Sequence, residues 1–504
     1  MFAFTLLTVV VVIFAYLWQW RSRLKAPFRS VPGPATLPLV GNAPEIVRKT
    51  STELFHWLLE LETRYGQLYQ IDGISQIWLV CASPKHVEKI MTGAEFNCKG
   101  EDYDVLLEWL GTGLLTSSGN KWFTHRKALT SAFHFKILEN FVPVFDRQST
   151  VLMEKLRKTD GKVVKIFPMV KLCTLDIIVE TAMGTPSSAQ ITQSSYTLAV
   201  EEMATIAFLR MFNRFYFSDF IFRFSKFYPT YGRCLKTIQN FTLSIIEKRR
   251  KTLQQNAAED GQQPPQGNDD LGSKPKMALL DILLQTNIDG RPLTDEEIRE
   301  EVDTFMFAGH DTTASAITFL LYTLAKHPDV QQKVYEEIIA VLGDSSSSGE
   351  TPLNISTLND LKYLDLVIKE SLRLFPPVPF ITRTALKEVD LCGLKVPADT
   401  NFTIGIYNMH HNAAYFPDPE RFIPERFEAE RGAEKLNPYA YVPFSAGGRN
   451  CIGQKFAQYE IKSTISKVIR NCRVELPYPD YEAPLKAEMI LKPLDDMPLK
   501  FHSR

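Results

Sequence analysis

The chain has 504 residues, a formal net charge of −1 at pH 7 and 23% charged side chains. That length buries a large core, and the near-neutral balance gives no sign of nucleic-acid binding. Cys81, Cys98, Cys173, Cys234, Cys392, Cys451 and Cys472 are odd in number, scattered and free of any C-x-x-C pair, which excludes a disulfide framework or a zinc site and fits a folded part facing the reducing cytosol.

Met1 to Trp18 is apolar apart from two threonines. As a helix it spans ~27 Å, about one hydrocarbon core. It has no basic leading region and no small-residue cleavage site, unlike a removed signal peptide or a mitochondrial presequence. Arg21, Arg23, Lys25 and Arg29 follow, and the positive-inside rule keeps that flank cytoplasmic. A buried core helix is the other reading. We read residues 1–20 as a signal anchor in the endoplasmic reticulum membrane. Residues 21–42 form a basic, Pro-rich hinge, stiffened by Pro32, Pro34 and Pro38.

The β-branched runs Gln76 to Val80 and Asn401 to Ile406 predict small sheets, whereas most other segments have helical periodicity. Trp122 and Arg126 are spaced i, i+4 and share a helical face. Phe208 to Tyr228 interleaves aromatics with Arg210, Arg214, Arg223 and Lys226. That mixture suits a membrane interface or ordinary packing. Gln254 to Lys276 and Gly343 to Pro352 are polar and read as surface connections.

Thr294-Asp295-Glu296-Glu297 is a capping box, and the apolar pattern behind it runs to about Leu324. This long helix carries Ala308-Gly309-His310-Asp311-Thr312-Thr313. An acid beside a hydroxyl can deliver protons through ordered water, so Asp311 and Thr312 are the candidate catalytic pair. Gly309 would leave local room, and the hydroxyls can bond back to i−4 carbonyls. A packed-helix histidine is more often structural, so His310 takes no role. Glu370 and Arg373 are spaced i, i+3, within ion-pair reach. Arg383 follows Pro376-Pro377-Val378-Pro379, which cannot continue the preceding helix.

Phe444 to Gly453 reads F-S-A-G-G-R-N-C-I-G. A thiolate ligand to haem iron needs such residues. Gly447 and Gly453 let the backbone lie close to a flat macrocycle, Arg449 can pair a propionate, and Phe444 can shield the Cys451 sulfur.

This loop resembles that of the cytochrome P-450 family, the haem-thiolate monooxygenases. The resemblance spans the chain after the anchor. It is nearest the branch containing fatty-acid ω-hydroxylases, through Trp109 to Leu115, His125-Arg126-Lys127 and Glu301 to Thr313. It implies a mainly α fold with small β-sheets and a single large catalytic domain over residues 43–504. Cys451 is then the metal ligand. Arg449, Trp122, Arg126 and Arg383 contact the haem carboxylates, and Glu370, Arg373 and Arg426 form a buried structural network. Many relatives carry Glu where this chain has Ala308, and that carboxylate can become esterified to the haem; Ala308 implies a non-covalent haem.

The resemblance further implies electrons from an NADPH-dependent cytochrome reductase, with cytochrome b5 as a second candidate donor. Lys127 and Lys455 are candidate docking residues. The substrate is a lipophile: a fatty acid, a hormone-like lipid or a foreign compound. Phe380, Ile381 and Glu488 to Leu491 are candidate pocket linings. The alternatives are a haem-thiolate isomerase or dehydratase working without reductase, and a non-catalytic haem sensor. The Asp311-Thr312 pair speaks against both.

Overall fold

The computed structural model describes residues 1–192, 194–259, 278–288, 290–343, 352–428 and 436–504. The architecture is mainly helical, with small sheets at the edges of one body. Helix α1 (Phe2–Lys25) carries the N-terminal apolar run, is long and apolar enough to cross a membrane and buries none of that run in the body. It continues through Arg21, Arg23 and Lys25, so these basic residues belong to the helix and not to the hinge expected from residue 21 onward. The Pro-rich stretch that follows has no regular secondary structure from 32 to 36.

Strands β1 (Leu68–Asp72) and β2 (Ile77–Cys81) form an antiparallel pair. Helices α2 (Gly119–Thr130), α3 (Ile166–Thr181), α4 (Ser195–Phe212) and α5 (Tyr228–Glu259) follow. Residues 254–259, read from sequence as a polar connection, are the last turns of α5; 260–276 lie outside the described residues, as do 344–351 of the second polar stretch.

Helix α6 (Asp295–Lys326) starts at the expected capping box. The Glu297 amide donates to Thr294 Oγ1 at 3.2 Å, and the Thr294 amide donates to Glu297 Oε2 at 2.8 Å. Beyond its first turn α6 is buried on nearly every face, which makes it the central element of the core. Leu320, Leu321 and Leu324 are each no more than 1% exposed, and burial of each contributes about 1.5–3 kcal/mol.

Helix α7 (Lys362–Leu374) ends before the Pro-rich turn. Strands β3 (Phe380–Thr384) and β4 (Asn401–Gly405) complete a four-stranded sheet of order β1-β2-β4-β3. The two strands legible in the sequence pair directly, in parallel, with Trp78 opposite Asn401 and Val80 opposite Thr403. Helix α8 (Gln454–Asn471) begins just after Cys451. Near the C-terminus, β5 (Leu485–Ala487) and β6 (Leu491–Pro493) make a hairpin whose Leu491 carbonyl accepts from Ser315 of α6 at 2.6 Å.

Candidate haem-thiolate site

The Cys451 loop is closed by its own backbone: the Cys451 amide donates to the Phe444 carbonyl at 2.9 Å, and Asn450 to Gly447 at 3.2 Å. Gly447 has φ +68°, and a Cβ there would lie 1.9 Å from the Met91 carbonyl oxygen. Conformation and space both require glycine. Gly453 differs: its φ is −88°, and a Cβ would make only an ordinary contact with Phe133. Nothing in the polypeptide demands glycine there.

Gly453 is the N-cap of α8, so the sulfur sits at the positive end of an 18-residue helix, which favours a thiolate. The thiol is accessible, yet burial pushes its pKa up while the Gly453 amide and Arg126 pull it down. It therefore lines an interior space and not the outer surface. Among the described residues, no cluster of three or more His, Cys, Asp or Glu side chains could hold a bare metal ion. A lone thiolate suits an iron whose in-plane ligands come with a macrocycle.

A group of cations gathers beside the loop. Arg449 is lowered to about 10 by burial, then by Arg383 and Arg126. Its guanidinium donates to the Ser117 carbonyl, lies 4.6 Å over the Trp122 ring, and keeps Nη1 buried without a hydrogen-bond partner among the described residues. Lys99, which the sequence did not single out, stands 4.3 Å over the Tyr103 ring. Burial, then Arg383 and Arg449, push it well below the usual lysine range. Asp102 is the acid beside Lys99; it accepts from Thr382 at 2.9 Å, and burial raises it to about 6. The group is short of negative charge, and the two propionates of a haem would balance it. These residues fit that cofactor.

Arg126, whose charge reaches Arg449, also bonds the loop itself. It donates to the Asn450 carbonyl at 2.9 Å and to Asn450 Oδ1 at 2.8 Å, so it braces the cysteine loop, while its helical neighbour Trp122 lies under Arg449.

Beneath the loop, Glu370 is fully buried. It accepts two bonds from Arg373 at 2.8 Å, one from Arg426 Nε at 2.9 Å and one from the Ile423 amide at 3.0 Å. Arg373 also donates to the His410 carbonyl at 2.9 Å, and His410 Nε2 accepts from the Val442 amide at 3.0 Å. The three charged residues thus reach the segment that leads into Cys451.

On α6, Ala308, Gly309 and Thr312 are half-buried, whereas His310 and Asp311 are fully buried. Thr312 donates to the Ala308 carbonyl at 2.7 Å and Thr313 to Gly309 at 2.8 Å, as the sequence suggested. The helix does not open here, however. A Cβ on Gly309 would lie 2.6 Å from Ile178 Cδ1, so the missing side chain lets α3 pack close and makes no local room.

Asp311 and Thr312 point apart, with no hydrogen bond between them among the described residues. Asp311 lies 3.2 Å from Lys492 Nζ and 3.9 Å from Lys171 Nζ. Burial alone would raise its carboxyl, but Lys492, Lys171 and His310 outweigh it and hold it at about 2. Lys171 is shared with Glu201 of α4 at 3.0 Å. Glu488, one of the candidate pocket residues, accepts from Thr205 of α4 at 2.9 Å and pairs with Lys486 at 2.7 Å. Phe380 is half-buried, and Ile381 and Ile490 are buried.

Two further ties were invisible in the sequence. Glu301 accepts from the Leu114 amide at 3.0 Å and contacts His125 Nδ1 at 2.7 Å, fastening α2 and the Trp109–Leu115 segment to α6. Lys127 and Lys455 are exposed.

The matches to known proteins agree with this geometry. The family model described as cytochrome P450 matches residues 31–501. Cytochrome P450 4d2 of Drosophila melanogaster is 44% identical over 464 residues, 90% of each chain. Cytochrome P450 4c3 of the same species is 41% identical over 96% of this chain and 91% of its own. Cytochrome P450 4c21 of Blattella germanica is 37% identical over 99% of both. The chain belongs to the cytochrome P450 family, with the haem cofactor and monooxygenase chemistry which that membership implies.

Proposed function

We propose that the protein is an endoplasmic-reticulum monooxygenase that inserts one atom of dioxygen into a lipophilic substrate and reduces the other to water, with electrons from NADPH through a flavoprotein reductase. Cytochrome b5 is the second candidate donor. The observation that carries this reading is the charge-deficient group of Lys99, Arg383 and Arg449 set against the Cys451 loop at the start of α8.

A haem held there would supply oxygen binding and O–O cleavage, driven by its thiolate ligand. The chain does the rest. Cys451 would provide the sulfur ligand, Lys99, Arg383 and Arg449 would balance the propionates, and Arg126 braces the loop. Thr312 presents a hydroxyl on the accessible face of α6. Asp311, held as a carboxylate, accepts a proton and passes it on; it is not a standing acid.

The substrate class is supported by the aromatic segment between α4 and α5. Phe215, Phe220 and Phe224 are 61%, 72% and 79% exposed, whereas Phe222 is buried under Arg210, itself bonded to Asp219. Packing thus holds the segment while an apolar ridge faces outward, as a bilayer contact requires. Fatty acids and related lipids, as in the ω-hydroxylase branch, fit a route from the membrane. Ala308 leaves the haem free of an ester and relaxes terminal-carbon selectivity.

The test is a membrane preparation of the full chain. A thiolate-type reduced carbon-monoxide spectrum, with reductase-dependent incorporation of labelled dioxygen into a component of a lipid extract, is the expected result. Product formed from lipid peroxides without reductase would move the protein to the isomerase or dehydratase reading. A thiolate spectrum without turnover would make it a sensor.

A further inference from the structure

Two neighbouring residues of the cysteine loop are taken by two residues on one face of α2. Trp122 lies under the Arg449 guanidinium at 4.6 Å, and Arg126, one turn on, bonds Asn450. Arg449 keeps Nη1 without a hydrogen-bond partner among the described residues. Arg126 is engaged differently. Its Nη1 donates to the Asn450 carbonyl at 2.9 Å and its Nη2 to Asn450 Oδ1 at 2.8 Å, so both arms of the fork close on a single residue. A guanidinium only donates, which fixes the oxygen of the Asn450 amide on that side. Both side chains are half-buried, where such charge-assisted bonds are stronger than in water.

Asn450 is held from its backbone as well. Its amide donates to the Gly447 carbonyl at 3.2 Å. The carbonyl that Arg126 takes belongs to the same peptide unit as the Cys451 amide, which donates to the Phe444 carbonyl at 2.9 Å. The cation is thus fixed one residue from the ligand cysteine. Its charge favours the thiolate, and the thiolate in turn favours the charged guanidinium. The loop pattern F-x-x-G-x-R-x-C-x-G leaves position 450 unspecified, so haem ligation by itself does not call for asparagine there. An apolar side chain would leave only the carbonyl bond, and a guanidinium held at one point can swing about it.

We propose that Asn450 is a positioning residue: its side chain fixes Arg126 as the counter-charge of the Cys451 thiolate and so raises the reduction potential of the bound haem iron. The two arginines then divide the work, Arg449 turning to the cofactor's carboxylates and Arg126 to the sulfur. A fixed cation beside the thiolate draws electron density away from the iron. It also opposes the more positive ferric state by Coulomb repulsion, which makes reduction easier. The role rests on ligation by Cys451, as in the proposed function, and not on any substrate or turnover.

The test is potentiometry of the purified holoenzyme, with the C–O stretch of its reduced carbon-monoxide complex as a second readout. In Asn450→Ala, the ratio of reduced to oxidised haem at a fixed applied potential falls roughly tenfold, the size of one hydrogen bond to a charged group. For one electron that is about 59 mV. Asn450→Asp keeps the acceptor and cancels the charge, so it holds the loop and lowers the ratio at least as far. In both variants the C–O stretch moves down, as stronger sulfur donation requires. Arg126→Gln lowers the ratio too, and adding Asn450→Ala to it changes nothing more, because the two act through one charge. Parent-like potentials in both Asn450 variants overturn the proposal. So does a fall in Asn450→Ala alone, which makes the side chain a structural brace, and so do fully additive effects in the double variant. Should Asn450→Ala fail to hold haem, Asn450→Asp decides. A parent without a thiolate-type carbon-monoxide band removes the ligation reading itself, whereas a thiolate band with unmoved potentials removes only the role of Asn450.

Discussion

Arg21 Nη2 lies 2.6 Å from Asp72 Oδ1, and both side chains are buried, at 6% and 2% exposure. Arg21 also donates to the Gly73 carbonyl at 2.7 Å, and Lys25 reaches the other Asp72 oxygen at 2.5 Å. The end of helix α1 is thus bonded to the β1–β2 turn of the body. Asp72→Ala leaves the buried Arg21 without its acid, a change that typically costs about 3–5 kcal/mol locally. The expected outcome is faster tryptic cleavage after Lys25 and Arg29 in intact membranes, with haem content unchanged. Equal cleavage rates would show that this junction is not held by the pair.

Glu370→Ala removes the one carboxylate facing both Arg373 and Arg426. Two arginines are then left without their acid under the segment leading to Cys451. The haem-to-protein ratio of the purified variant is expected to fall close to zero. A normal ratio would contradict the structural role.

Asp311 is held at about 2 chiefly by Lys492 and Lys171, against its own burial. Lys492→Met removes the nearer positive charge, so the carboxyl rises and the acidic limb of product formation moves to higher pH. Asp311→Asn cannot carry a proton, and product formation is expected to drop by about 10²-fold. Product and NADPH measured together across pH check both.

Ala308 has no carboxylate to esterify. Acid–organic extraction is expected to remove all haem from the native protein and to leave a bound fraction in Ala308→Glu. Mass spectrometry of the extracted polypeptide reads the difference.

His310 and His410 are fully buried, and burial lowers them to about 4 and about 3. Both stay neutral in the fold, while the unfolded chain takes up protons near pH 6.5. Stability is therefore full above about pH 6.5 and is lost as pH falls towards about 4, where the unfolded state binds more protons. The urea midpoint of the holoenzyme is expected to be clearly lower at about pH 5 than at about pH 7.5.

Local spacing made much of this legible. The Thr294 capping box, the two β-branched runs and the apolar N-terminus each report on neighbours a few residues away, and each appears as an element within a few residues of its expected place. The Arg373–Glu370 pair followed from i, i+3 spacing, and Arg426 from resemblance. The role of Gly309 was misjudged because the group it makes way for, Ile178, lies 131 positions earlier.

The sequence by itself determined the family, the motif around Cys451 and the apolar N-terminal helix, since periodicity and a contiguous motif are properties of short stretches of chain. Only the tertiary structure decided what Arg126 bonds, that Lys99 joins the cation group, and that Asp311 is clamped as a carboxylate. Those facts depend on burial and on charges brought together from separate helices and a C-terminal hairpin. A chain read in one dimension carries no record of which distant segments cross.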